Sequence, residues 1–171
     1  PAPDTAAMRR AREDSIRAAE EARRRAEEDA ARRRAEEEAR AREAAMAQLR
    51  NDLAAVVLFD YDAATIRPGD EAVLDRKAAI MQANPNLTLQ ISGHADERGA
   101  DEYNLALGNR RALAAKRYLV NKGIEAGRIE TISYGEERGT CSEQTEDCFQ
   151  RNRRDEFAVT AGGENLQAPS Q

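Results

Sequence analysis

The stretch LTLQISGHADERGADEYNLALGNRRA, residues 87–112, decides the fold because two periodicities meet inside it. Leu87, Leu89 and Ile91 alternate with Thr88, Gln90 and Ser92, and the alternation continues to His94 and Asp96. This is the two-residue repeat of a half-buried strand. From Asp101 onward DEYNLALGNRRALAAKRYLVNKG has a helical repeat, with Asp101 as the candidate N-cap and Gly123 as the stop. Gly99 permits the tight turn between the two elements. The strand therefore delivers Asp96 to the start of a helix.

Upstream, AAVVLF from residue 54 reads as a buried strand, DYDAATIRPGD as an acidic turn, and GDEAVLDRKAAIMQAN as an amphipathic helix closed by Asn84 and Pro85. Downstream, RIETISYG and RRDEFAVTAG read as strands on either side of the polar loop GTCSEQTEDCFQRNRR. The order β-α-β-α-β-β makes residues 54–161 an α/β (α+β) sandwich with helices over one face of a small sheet. GGENLQAPSQ, residues 162–171, reads as a disordered tail, and residues 1–7 as another.

Residues 8–53 consist almost wholly of Ala, Arg and Glu without Gly or Pro, which predicts one long charged helix. Glu13/Arg17, Glu20/Arg24, Glu21/Arg25, Glu28/Arg32 and Glu36/Arg40 are acid-first pairs at i, i+4 that support such a helix without a core. At 1.5 Å per residue it would reach roughly 60 to 70 Å, a spacer's length. Alanines rather than large apolar residues recur along it, which favours an isolated rod over a coiled coil, with a weak helical oligomer as the other reading.

Composition limits the functions available. A net charge of −5 gives no electrostatic case for nucleic acid, and 35% charged with 4% aromatic residues argues against one core spanning the whole length. No apolar run is long enough to cross a bilayer. The opening PAPDTAAMRR has no apolar core of a signal peptide, so an export signal, if there was one, is expected to have been removed. Cys141 and Cys148 lie in one loop without a histidine or a second cysteine pair to complete a zinc site. A disulfide is preferred over free thiols, and it points to an oxidising compartment.

At the strand-to-helix junction Asn104, Gly108 and Arg111 form one stripe at i, i+4 and i+7. A helix-interior glycine costs about 1 kcal/mol against alanine, so Gly108 calls for either a closely packed neighbour or a ligand lying across the helix. Asp96 as an ammonium acceptor and Arg111 as a carboxylate fork could together hold an amino-acid zwitterion. Alternatively they form a structural salt bridge that shapes the turn. His94 reads as a hydrogen-bonded structural residue, since a metal would need more ligands than Asp96 and Glu97 supply. Ser92, His94 and Asp96 share a strand face, but i, i+2 neighbours stand roughly 7 Å apart, too far for a hydrolytic triad. No catalysis and no cofactor are expected.

These motifs, with VVLFDYD upstream and ISYGEE and NRR downstream, resemble the C-terminal domain family of outer membrane protein A, and within it the peptidoglycan-associated lipoproteins. The resemblance covers residues 54 to about 160. It implies the same β-α-β-α-β-β fold and, as ligand, the meso-diaminopimelate of the peptidoglycan stem peptide. It places Asp96 on the ligand's ammonium, Arg111 on its carboxylate, Tyr103 and Asn104 beside them, and Phe59 and Asp60 on a loop closing over the peptide. Alanine at Asp96 or Arg111 is then expected to abolish binding with the fold intact. The resemblance also implies a periplasmic, outer-membrane-associated protein, with envelope proteins such as the Tol system as partners. Membrane contact would come through an acylated N-terminal cysteine, which these residues lack. The long helix departs from the usual short linker, and the cysteine loop is more like the disulfide-bearing insertion of some relatives. The rival reading is a helical assembly scaffold with the globular domain as a passive cap; a stator-like motor protein would need a membrane-spanning helix.

Overall fold

The computed structural model describes residues 5–170. Helix α1 spans Thr5–Ala54, so Thr5–Ala7 are helical rather than part of a tail; the rest of the expected N-terminal tail lies outside the described residues. The chain divides after Ala44 into two compact units.

In the first unit the side chains of α1 from Thr5 to Ala44 are exposed. Its arginines pair along the helix, but mostly not as the acid-first pattern expects. Glu21–Arg25 forms as read, whereas Arg17 pairs with Asp14 (2.6 Å), Arg32 with Asp29 (3.0 Å), and Arg23 and Arg24 with Glu27 (3.3 Å) and Glu28 (3.6 Å). Such exposed pairs contribute a few tenths of a kcal/mol each, and high intrinsic propensity does the rest. Among the described residues no helix is long and apolar enough to cross a membrane.

The second unit begins at Ala45, earlier than the expected boundary at residue 54, because the end of α1 belongs to the core. Leu49 and Leu53 are 4% and 1% exposed, and Met46 packs against the same cluster. Burying two leucines contributes about 4 kcal/mol, enough to dock the helix end. The remaining elements are β1 (Val57–Leu58), α2 (Pro68–Ala83), β2 (Thr88–His94), α3 (Asp101–Asn121), a short 3-10 turn at Ala126–Arg128, β3 (Ile129–Gly135), α4 (Glu146–Asn152) and β4 (Arg154–Ala161). The strands line up as β1-β4-β2-β3, with β2 parallel to β3 and antiparallel to β4, and β1 antiparallel to β4 at the edge. The expected β-α-β-α-β-β order holds, with α4 added inside the cysteine loop.

Leu87, Leu89 and Ile91 are fully buried, meeting Leu74, Ile80 and Met81 of α2 and Ala112, Ala115 and Leu119 of α3 in one cluster. Asp101 is not the cap of α3: Ala100 holds that position, without a side-chain cap, and Asp101 instead adds negative charge to the first turn. The C-terminal segment is not a free tail. Leu166 is buried in the core, and Asn84 clamps Gln167 by accepting from its backbone N–H (2.7 Å) while donating to its carbonyl (2.9 Å).

Lys77 of α2 is fully buried and donates to the carbonyls of Asp52 (2.9 Å) and Leu53 (2.7 Å), two groups that the end of α1 leaves without helical partners. Its ammonium also lies 4.2 Å from the centre of the Phe157 ring. Burial pulls its pKa down to about 7, against the pull of Asp52. The unfolded chain then binds the proton more tightly between pH 7 and the ordinary lysine value, so folding is favoured as pH rises through that window. Urea denaturation at pH 7 and 9 should show the wild type gaining on the order of 1–2 kcal/mol relative to Lys77→Met.

Candidate functional site

The end of β2, the turn that follows it and the first half of α3 face the loop between β1 and α2. Between them lies a pocket of about 400 Å³, its open mouth included, lined among others by Tyr61, Asp62, Asp96, Arg98, Tyr103, Asn104 and Arg111. The sequence-selected Asp96, Tyr103, Asn104 and Arg111 therefore share one pocket.

Arg111 is fully buried. Its Nε donates to the carbonyl of Ala63 (2.7 Å), Nη1 to that of His94 (2.8 Å) and Nη2 to that of Asp60 (3.1 Å), and it lies 5.2 Å from the Phe59 ring centre. Three of a guanidinium's five N–H groups are committed in this way, and the remaining pair, one on each Nη, is what it can offer the pocket. Burial lowers its pKa to about 10, partly offset by Asp155, and it stays cationic at neutral pH. Because Arg111 ties three backbone segments together, replacing it with alanine would loosen the site itself, contrary to the expectation of an intact fold.

Asp96 is 4% exposed. The structural bridge that would join it to Arg111 is not formed among the described residues; its partners are two other arginines. Arg98 reaches it through the backbone N–H (3.1 Å), Nε (3.1 Å) and Nη2 (2.7 Å), and Arg153 through Nη1 (3.2 Å). Burial raises the carboxyl's pKa, but these hydrogen bonds and charges outweigh it and hold the group below the ordinary carboxylate range. Asn104 is buried, and its amide donates to the carbonyls of Asp96 (3.2 Å) and Arg98 (3.1 Å), so it fixes the turn carrying the acid. Tyr103 is half-exposed at the rim and donates to Asp62.

The other selected residues have different places. Phe59 is buried in the core, and its carbonyl accepts from Arg153 Nε (2.9 Å) and Gln150 (3.1 Å); it anchors the loop rather than lining the pocket. The exposed carboxylate of Asp60 sits 3.8 Å from Arg67, while its carbonyl serves Arg111. Gly108 does not line the pocket. A Cβ there would come within 2.3 Å of Ser133 Oγ and 2.8 Å of the Gly93 carbonyl oxygen, so the glycine serves the close approach of α3 to β2 and β3. His94 is structural without hydrogen bonds from its ring among the described residues: it is buried, stacks on Tyr134 at 5.6 Å, and has Glu156 Oε2 3.6 Å from its Nε2. Cys141 and Cys148 form a disulfide. Their sulfurs are thus unavailable as thiolates beside Glu143.

Arg98, Arg153, Tyr61 and Asp62 were not singled out from the sequence. Arg98 lies in the same turn as Asp96, and charge complementarity at i, i+2 was the available signal; Arg153 comes from far along the chain, and only the fold brings it to Asp96. Asp155 was also missed. It is fully buried on β4, and neither carboxyl oxygen has a hydrogen-bond partner among the described residues. Burial drives its pKa well above the ordinary value, against the pull of Arg111.

Residues 58–153 match the OmpA family. Over 107 residues the chain is 47% identical to a peptidoglycan-associated lipoprotein of Rhizobium meliloti (strain 1021), covering 63% of this chain and 59% of that protein. Over 98 residues it is 43% identical to the peptidoglycan-associated lipoprotein of Haemophilus influenzae, covering 57% and 64%. It thus spans about three fifths of the length of the curated relatives it matches. The crystal structure of the peptidoglycan-associated lipoprotein from Burkholderia pseudomallei superposes with a TM-score of 0.60 at 33% identity, covering 61% of this chain and 89% of that one. The C-terminal domain of Helicobacter pylori MotB superposes with a TM-score of 0.57 at 16% identity, covering 63% and 84%, a likeness of fold.

Two outcomes follow from this geometry. Gly108→Ala should destabilise the fold by roughly 1–3 kcal/mol, and Gly93→Ala by more, because its Cβ would meet the Gly108 carbonyl oxygen at 1.8 Å where no side chain can yield; thermal melts of both variants check the ranking. For Asp155 the folded state holds its proton more tightly, so its contribution is present below the ordinary carboxyl pKa and is lost as pH rises. Asp155→Asn should therefore gain stability relative to wild type between pH 4 and pH 7 in chemical denaturation.

Proposed function

We propose, from the premise that this chain belongs to the OmpA family, that its second unit binds peptidoglycan without covalent attachment, through the zwitterionic end of meso-diaminopimelate in the stem peptide. The observation that carries the reading is that an ionised carboxylate, Asp96, and a guanidinium with uncommitted donors, Arg111, line the same pocket. A carboxylate that stays ionised accepts an ammonium; a planar fork receives a carboxylate. The names of the relatives, peptidoglycan-associated lipoproteins, point the same way. In this reading Asn104 positions Asp96 through its backbone, and Tyr103 and Asp62 form the rim on which the rest of the peptide lies.

The protein then acts as a tether in the periplasm, associated with the outer membrane or an envelope complex such as the Tol system, and the exposed Ala/Arg/Glu portion of α1 serves as the spacer. It performs no reaction. The assembly-scaffold alternative draws on the length of α1, but no apolar seam among its exposed residues supports self-association.

Calorimetric titration should show a stem tripeptide with meso-diaminopimelate binding, and the lysine counterpart, which lacks the distal carboxylate, binding at least tenfold more weakly. Asp96→Asn should abolish binding. Arg111→Lys, which keeps the buried charge but not the fork, should weaken it by about one to two orders of magnitude. Equal affinity for the two peptides removes the proposed chemistry.

A further inference from the structure

We propose that the Arg98 guanidinium is a displaceable latch, seated on Asp96 in the free protein and exchanged for the ammonium of the incoming ligand. The inference rests on the peptidoglycan reading above and adds how the site is kept closed until occupied.

A carboxylate has about four lone-pair positions. Asp96 fills them with contacts from the Arg98 backbone N–H, Nε and Nη2 and from Arg153 Nη1. An ammonium group has no acceptor there unless one arginine leaves. The two arginines are unlike in this respect. Arg153 is 2% exposed and also donates to Phe59 O, Glu146 and Gln150, so moving it would unfasten the β1–α2 loop. The Arg98 side chain is 34% exposed. It also stacks on the Tyr61 and Phe149 rings, at 4.1 and 4.3 Å, contacts along which a planar cation can shift without breaking further directional bonds.

A second acceptor already waits for it. Glu146, whose Oε1 accepts from Arg153 Nη2 (2.7 Å), has its Oε2 3.8 Å from Arg98 Nη2, on a side chain that is 68% exposed. When Arg98 transfers to Glu146, the Arg98 backbone N–H remains on Oδ1 and Arg153 on Oδ2, and each oxygen of Asp96 gains an open position. A three-donor ammonium fits that vacancy. The exchange substitutes one cation for another on the same acid.

An internal competitor lowers apparent affinity by the fraction of time the site is open. Removing a partly exposed ion pair of this kind should therefore tighten binding of the diaminopimelate tripeptide by about three- to tenfold in Arg98→Ala. Pimelate, the same carbon chain without ammonium groups, does not need Asp96 vacated and should not tighten. Circular dichroism and melting temperature establish that the variant folds, and Arg98→Gln, which keeps the stem and a neutral amide, should shift affinity in the same direction. Unchanged or weaker tripeptide binding in both variants overturns the latch, as does equal tightening of pimelate. If the wild type does not bind the tripeptide at all, the reading of the pocket fails and takes the latch with it, an outcome distinct from wild-type binding that the Arg98 variants leave unaltered.

Discussion

The buried guanidinium of Arg111 is the fastening on which the site depends. It is solvated by three backbone carbonyls, from Asp60, Ala63 and His94, rather than by a carboxylate. Charged hydrogen bonds of this kind contribute about 1.5–3 kcal/mol each, and together they offset the cost of taking a cation out of water. The nearby acid, Asp155, makes no hydrogen bond or ion pair with it among the described residues, and burial raises that carboxyl's pKa against the pull of Arg111. A positive charge without a formed counterion thus stands at the wall of a small pocket. The carbonyls fix its position and a ligand carboxylate can complete its charge.

The same loop is gripped from the other side. Arg153 of the segment entering β4 donates to the Phe59 carbonyl and to Asp96, while Arg111 of α3 holds Asp60 and Ala63. Residues 59–63 are therefore suspended between two buried arginines, and the distance between the pocket's walls is set by the packing of α3 and β4 against β2. That packing is close because Gly93 and Gly108 face each other without side chains. The disulfide enters through α4: Cys148 anchors a short helix that presents Phe149 and Glu146 to Arg98, so a covalent link between residues outside the pocket's lining supports one of its walls.

Much of this was legible in the sequence, where local pattern and tertiary role coincide. Leu87, Leu89 and Ile91 alternate because one face of β2 is buried, and the shift to a helical repeat marks α3. Asp96 and Arg111 could be selected as chemically complementary from their placement about one turn. The boundary at Ala45 was missed although Met46, Leu49 and Leu53 form an apolar stripe, because the preceding charged residues dominate the composition of the same helix. Leu166 was missed for the opposite reason: one apolar residue in a polar, glycine-flanked segment has no period to announce it. Gly108 was ambiguous because a helical glycine serves backbone approach and ligand access by the same absence of a side chain. The Asp96 partners were not legible as a set, since Arg153 meets the acid only once β4 has paired with β2.

The division between fixed and movable parts has an energetic consequence. Arg111, Arg153 and Asn104 are buried and multiply bonded, so their geometry is set by folding and adds no ordering cost at the moment of association. The more exposed members of the lining include Arg98 and Tyr103. If the arriving ammonium replaces the departing guanidinium on Asp96, the charge around that acid is the same before and after, and neither Arg153 nor the turn held by Asn104 has to respond. The ion exchange then contributes little net Coulomb energy, and the discriminating contribution falls to the new contact at Arg111, where no internal anion is displaced. On the proposed reading, selectivity would thereby be concentrated on the ligand's carboxylate, the group that separates a diaminopimelate from a lysine.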